Sequence, residues 1–192
     1  MKWSDLFSRV MPHVPGCPEM MVEDALRDTA IKFCRDSHLW REQIMDLYLS
    51  PGIHRYELDL PEQTEVAALI CAWQRKPGSE HKEAVHPDIN VFRMVRFDTL
   101  PDPDKGPIEL HVVLQPTLDA DGMLDAIGLD YDQALIHGAL ERLVIIPGKD
   151  WSNPNMATYH RSKYLESLTD ARLAKANGNT EAPLRVSPQP FF

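Results

Sequence analysis

Apolar residues recur along this chain with two different periods: helical at both ends and alternating in the middle. Val22, Ala25, Leu26, Thr29, Ala30 and Phe33 fall at i, i+3, i+4, i+7, i+8 and i+11, one face of an α-helix. That spacing predicts a long helix from about Pro18. Glu19, Glu23 and Asp24 suit its start, where the helix dipole favours negative charge. Ahead of it, Trp3 to Met11 predicts a short amphipathic helix with Leu6, Phe7 and Val10 inward. Pro12, Pro15, Gly16 and Pro18 break it. Between Asp130 and Asn177 the helical period returns twice. Leu135, Ile136, Ala139, Leu140 and Leu143 form the first apolar face, and Pro147 and Gly148 stop that helix. Asn153 then offers a side-chain cap, and Pro154 sits where a first helical residue tolerates a missing N–H. The second helix runs from about Asn155 and is expected to turn Met156, Tyr164, Leu165, Leu168 and Ala171 inward. No reactive group is read on this hairpin, so it is expected to be scaffold.

The middle of the chain alternates instead. Gln43 to Leu49 opposes Ile44 to Met45, Leu47 and Leu49, and Ser50, Pro51 and Gly52 make a turn. Tyr56, Leu58 and Leu60 alternate with Arg55, Glu57 and Asp59, the pattern of a half-buried strand. The two runs flanking Pro51-Gly52 are therefore expected to form a hairpin. Val66 to Trp73, Val91 to Phe97 and Ile108 to Leu114 read as further strands. The expected fold is α+β: an antiparallel α-helical bundle from residues 1–41 and 126–178, with residues 42–125 inserted as a small antiparallel β unit of sandwich or barrel type. The helices have one apolar face each and bury it most economically against each other. Residues 179–192 carry Pro183, Pro188 and Pro190 without a helical period and are expected to form an extended C-terminal arm.

The 192 residues suffice for one domain or a domain with an insert, and 43% hydrophobic with 26% charged residues is ordinary for a globular chain. The net charge of −9 makes the chain a poor non-specific ligand for nucleic acid or anionic membrane, whose phosphates need Lys and Arg. Cys17, Cys34 and Cys71 are few, odd in number and widely spaced, which fits a reducing compartment rather than a disulfide framework. No signal-peptide pattern and no 18-residue apolar run is present, so cytosolic synthesis and no membrane partner are expected.

Candidate chemistry is thin. The segment DADGMLD invites a calcium loop, but aligning Gly122 to position 6 leaves Thr117 at position 1 and Gly128 at position 12, so the bidentate ligand is missing. Eight histidines show no HExxH and no paired-cysteine spacing; His137 is expected to lie partly buried at a helix contact. There is no GxSxG, and PGKDW lacks the spaced glycines of a phosphate loop. No catalytic residue, cofactor or metal is assigned. Charge is distributed more tellingly: residues 98–132 hold nine acidic side chains against Lys105 alone. Asp98, Asp102, Asp104, Asp119, Asp121 and Asp125 are candidates for a surface that repels a polyanion. The arm ends in Phe191 and Phe192 on a proline-stiffened segment, with apolar area worth ~1.5–3 kcal/mol per ring if buried on a partner.

Three segments carry a resemblance. ALRDTAIKFCRDSHLWREQ (Ala25 to Gln43) runs from a long helix through a Cys-Arg pair to Trp and into a strand. LSPGIHRYELDLPEQTEV (Leu49 to Val66) holds the Pro-Gly turn, a Tyr-x-Leu strand and a Pro-led turn. GALERLVIIPGKDWSNPNMATYHRSKY (Gly138 to Tyr164) is helix, Pro-Gly-Lys-x-Trp break and final helix. In this order and spacing they resemble the tailed-phage head-to-tail adaptor (connector) family, the tail tubular protein A-like proteins. The resemblance implies a helical bundle with a β insert, assembled as a ring of twelve at the head–tail junction of the virion. Its implied partners are the portal protein, a tail or nozzle protein and further copies of itself. DNA passes through the ring without specific binding, and no catalytic residue or cofactor is implied. In such rings a C-terminal arm packs onto the portal, which makes Leu184, Arg185, Val186, Phe191 and Phe192 the candidate docking arm. The acidic residues are then expected to face the channel or its rim. Two unrelated readings stand beside this one: a small hydrolase using surface carboxylates, and a regulatory binding module.

Overall fold

The computed structural model describes residues 1–75, 82–89, 93–103 and 106–176. It is α+β, with the helical ends and alternating middle that the sequence predicts. The first segment is tighter than a regular helix: α1 (Phe7–Val10) is flanked by 3-10 turns at Trp3–Leu6 and Met11–His13. Leu6 and Val10 face inward as expected, and Trp3 joins them in the core. The long helix α2 spans Glu19–Ser37 and buries all six residues of its predicted stripe. It ends at His38, whose left-handed backbone (φ 55°) lets its N–H reach the Cys34 carbonyl at 2.9 Å.

Strands β1 (Arg41–Leu47), β3 (Thr64–Arg75), β4 (Lys82–Ala84) and β7 (Ile108–Pro116) form an antiparallel sheet of order β1-β7-β3-β4. A second, smaller sheet has the order β2-β6-β5, from β2 (Arg55–Glu57), β5 (Asp88–Ile89) and β6 (Met94–Arg96). The expected β1–β2 hairpin does not form. The Pro51-Gly52 turn exists, with Gly52 at φ 79° and the Ile53 N–H on the Ser50 carbonyl at 3.1 Å. Residues 48–54 separate the two strands, too many for the tight connection that fixes a hairpin register, and each strand pairs elsewhere: β1 with β7, β2 with β6. The strand expected at Val91 to Phe97 is shorter, and Val91 lies outside the described residues.

Helix α3 (Asp125–Asp130) follows the turn at residues 118–119 and leads into α4 (Asp132–Val144). Helix α5 (Pro154–Ala176) starts at its predicted proline, with the Met156 N–H on Asn153 Oδ1 at 3.2 Å. Its inward face differs from expectation. Ala157, His160, Tyr164, Leu168 and Ala171 are buried, whereas Met156 is 38% and Leu165 47% exposed. Steps of 3, 4, 4 and 3 residues keep the former set on one line, and Met156 and Leu165 fall to either side of it.

Helix α4 packs on both α2 and α5, and α2 also backs the sheet at β7. Along β7, Ile108, Leu110, Val112 and Leu114 enter the same continuous apolar cluster as Leu26 and Phe33 of α2 and Leu140 of α4. Helices and sheet therefore share one core.

Candidate functional site

β7 divides the acidic segment. Asp98 and Asp102 precede the strand, and Asp119, Asp121 and Asp125 follow it. Nine residues at ~3.3 Å each hold the two groups at opposite ends, roughly 25 Å apart along the strand. Asp98 is exposed and pairs with Arg96 at 3.0 Å. Asp102 lines a cavity of about 360 Å³, and its carbonyl accepts from the buried Gln74 amide at 2.6 Å. Asp119 is exposed, and the neighbouring Thr117 hydroxyl holds its carboxyl below the usual range. Asp121 accepts from Gln63 at 3.5 Å, and its N–H donates to Gln63 Oε1 at 3.2 Å. Asp125 pairs with the Met1 amine. Asp104 and the arm residues Leu184, Arg185, Val186, Phe191 and Phe192 lie outside the described residues.

Exposed large apolar side chains include three local groups. Met45, Tyr48 and Ile53 lie on β1 and the connection after it; Leu118, Leu124 and Leu129 lie between the end of β7 and the end of α3; Ile145, Met156 and Tyr159 surround the α4–α5 break. Met20, Ile70, Met94, Leu165 and Leu173 are exposed elsewhere. Among the described residues β1 is also an edge strand, paired with β7 alone and mostly exposed, as suits a row of backbone groups that a partner can reach. Arg41 and Asp46 on that strand are charged, as protected edges commonly are.

Two polar clusters are built inside the fold. On the sheet, Glu109 accepts from Gln43 Nε2 at 2.6 Å, Lys82 Nζ at 2.9 Å and His111 Nε2 at 3.0 Å. The bonds from His111 and Lys82 bring its carboxyl down to about 2, against the opposing effect of burial. This carboxylate is saturated with donors and holds three strands together.

The second cluster lies on the helical hairpin. His137 of α4 and His160 of α5 face each other with their Nδ1 atoms 2.8 Å apart. His13 meets His160 edge-on with ring centroids 6.2 Å apart, and Tyr159 packs on both paired imidazoles. His160 is 3% exposed. Beside the rings lies a cavity of about 470 Å³, lined on its apolar side by Ile136, Leu140 and Met156. Burial lowers the pKa of His137, with Lys163 and His13 adding to the effect. Burial, then His137 and His13, lower that of His160 to about 4. Among the described residues, no three His, Cys, Asp or Glu side chains are placed to hold a metal ion, and no helix is long and apolar enough to cross a membrane. His137 lies at the helix contact expected of it; its partner His160 comes from the face of α5 that also carries Ala157 and Tyr164.

No protein-family model matches this chain, and no curated protein matches it.

Proposed function

We propose that the protein is a virion structural adaptor, a ring-forming subunit that joins the capsid portal to the tail and continues the DNA channel. The observation that carries this reading is the presence of exposed apolar groups on separate elements: one at β1 and its following connection, one around the α4–α5 break. A ring needs a heterologous contact, in which one surface of a subunit meets a different surface of the next. The order of elements supports the reading too. The three segments of the resemblance occupy α2 through β1, the Pro-Gly turn through β2 to β3, and α4 through α5. In this reading the Asp residues flanking β7 line or rim the channel, where carboxylates avoid ion pairs with passing phosphates. The arm from residue 179 docks on the portal, with Phe191 and Phe192 as its anchors. Self-association is weak in isolation and is completed on the portal template by avidity.

The test is to mix the purified chain with a portal ring, measure the mass of the product and image it. A stoichiometric ring-on-ring complex supports the adaptor role. Components that remain separate at micromolar concentrations would overturn it.

A further inference from the structure

The seam between α4, α5 and the N-terminal segment is closed by imidazoles. The two Nδ1 atoms of His137 and His160 face each other at 2.8 Å, so one nitrogen donates and the other accepts. That bond already holds its one proton, so a first added proton goes to the bare Nε2 of the donating ring and leaves the bond intact. A second must go to the accepting Nδ1, and two N–H groups then point at each other. The surroundings give little help to added charge. Arg9 and His13 face the pair from the N-terminal segment, and Arg9 already binds Asp132 of α4. Lys163 faces it from α5 and is itself paired with Glu166 at 2.8 Å. The α4–α5 break contributes Asp150, in a second cavity of about 240 Å³ that also touches His13 and His160. Tyr159 contributes only its ring to the pair. The paired imidazoles thus sit among Arg9, His13 and Lys163, with the Asp150 carboxylate as the facing group of opposite sign.

We propose that this three-histidine seam is an acid-sensitive latch: protonation of the pair drives the start of α5 and the N-terminal segment away from α4 and uncovers the apolar surface of Ile136 and Leu140. The lowered pKa values give the sign. The fold favours the neutral rings, so the latch is fully closed above the ordinary histidine pKa of about 6.5. Closure is lost as pH falls from there towards 4, the value to which His160 is brought. The cavity of about 470 Å³ beside the rings gives water and protons a route to the pair without prior unfolding.

The test is hydrogen–deuterium exchange of the full chain at pH 7.5 and pH 5.0, corrected for intrinsic exchange, for the wild type and for His137→Leu/His160→Leu. The latch predicts that peptides covering 1–14 and 154–164 lose at least tenfold in protection at pH 5.0 in the wild type. Peptides covering β7 keep theirs, and the Leu pair abolishes the difference. An equal loss over β7, or an equal loss in the Leu variant, would assign the change to general acid unfolding and overturn the proposal. So would unchanged protection in the wild type. Should the Leu variant not fold, an NMR titration of the wild-type imidazoles decides. The latch requires His137 and His160 to titrate below 6.5 together with amide shifts in α5; titration without those shifts refutes it.

Discussion

Gly138 of α4 lies directly against Thr29 of α2. A Cβ added at Gly138 would collide with Thr29 Cγ2 and come within 3.0 Å of Tyr164 Cδ2 and 3.3 Å of Thr29 Oγ1. The threonine is not free to swing away, because its hydroxyl donates to the Ala25 carbonyl at 2.7 Å. Gly138→Ala gains ~1 kcal/mol of helix propensity but loses ~1–3 kcal/mol to overpacking. A net destabilisation of about 1–2 kcal/mol is expected in denaturant unfolding. Thr29→Ala should recover most of it in the double variant, and an additive double variant would refute the contact.

Tyr164 sits across the same three-helix junction, edge-on to Phe33 with ring centroids 6.4 Å apart. Its hydroxyl is buried without a hydrogen-bond partner among the described residues, and burial pushes its pKa up. Tyr164→Phe keeps the ring and removes the orphaned group. Stability should stay level or rise by up to ~1 kcal/mol. A loss above that range, measured by thermal or chemical unfolding, would mean the hydroxyl has a partner.

Glu109 gives the sheet an acid limit. Its folded pKa of about 2 lies below the usual carboxylate range, so its contribution is complete above pH ~4.5 and fades as pH falls towards 2. Glu109→Gln should lower stability at pH 7 by ~1–3 kcal/mol and flatten the stability profile between pH 4.5 and 2. Parallel denaturation series at several pH values measure both effects.

Reversing Asp98, Asp102 and Asp119 to Lys tests the channel assignment. Asp121 and Asp125 are kept because they tie Gln63 and the Met1 amine to the end of β7. If they face passing DNA, ejection from assembled particles should slow severalfold, and added salt should relieve the effect. Unchanged ejection kinetics would place these residues on the outer surface.

Local pattern made α2 readable, since its apolar stripe from Val22 to Phe33 is dictated by a single period and every position is buried. The same held for the stop at Gly148, at φ 72°, and the cap at Asn153. Strand pairing was less legible. The Pro51-Gly52 turn is real, but a turn does not say which strand its neighbours join, and β7 drew β1 into the larger sheet. The histidine pair was hidden for a related reason. His137 and His160 are 23 residues apart, and only the phase of α5 relative to α4 brings them together. His160 shares the inward line with Ala157 and Tyr164, which the large apolar residues Met156 and Leu165 obscure in the sequence. Glu109 looked like one more surface carboxylate; its burial depends on donors from β1, β4 and β7 at once.

The position of β7, flanked by β1 and β3 and backed by α2, has a consequence for how the molecule melts. Removing the helices would strip the cover from Ile108 and Leu114, and removing the strands would bare the underside of α2. Neither half makes a self-sufficient fragment. Calorimetry should therefore record one endotherm for the whole chain, and the strand-rich middle expressed by itself should collect as insoluble material.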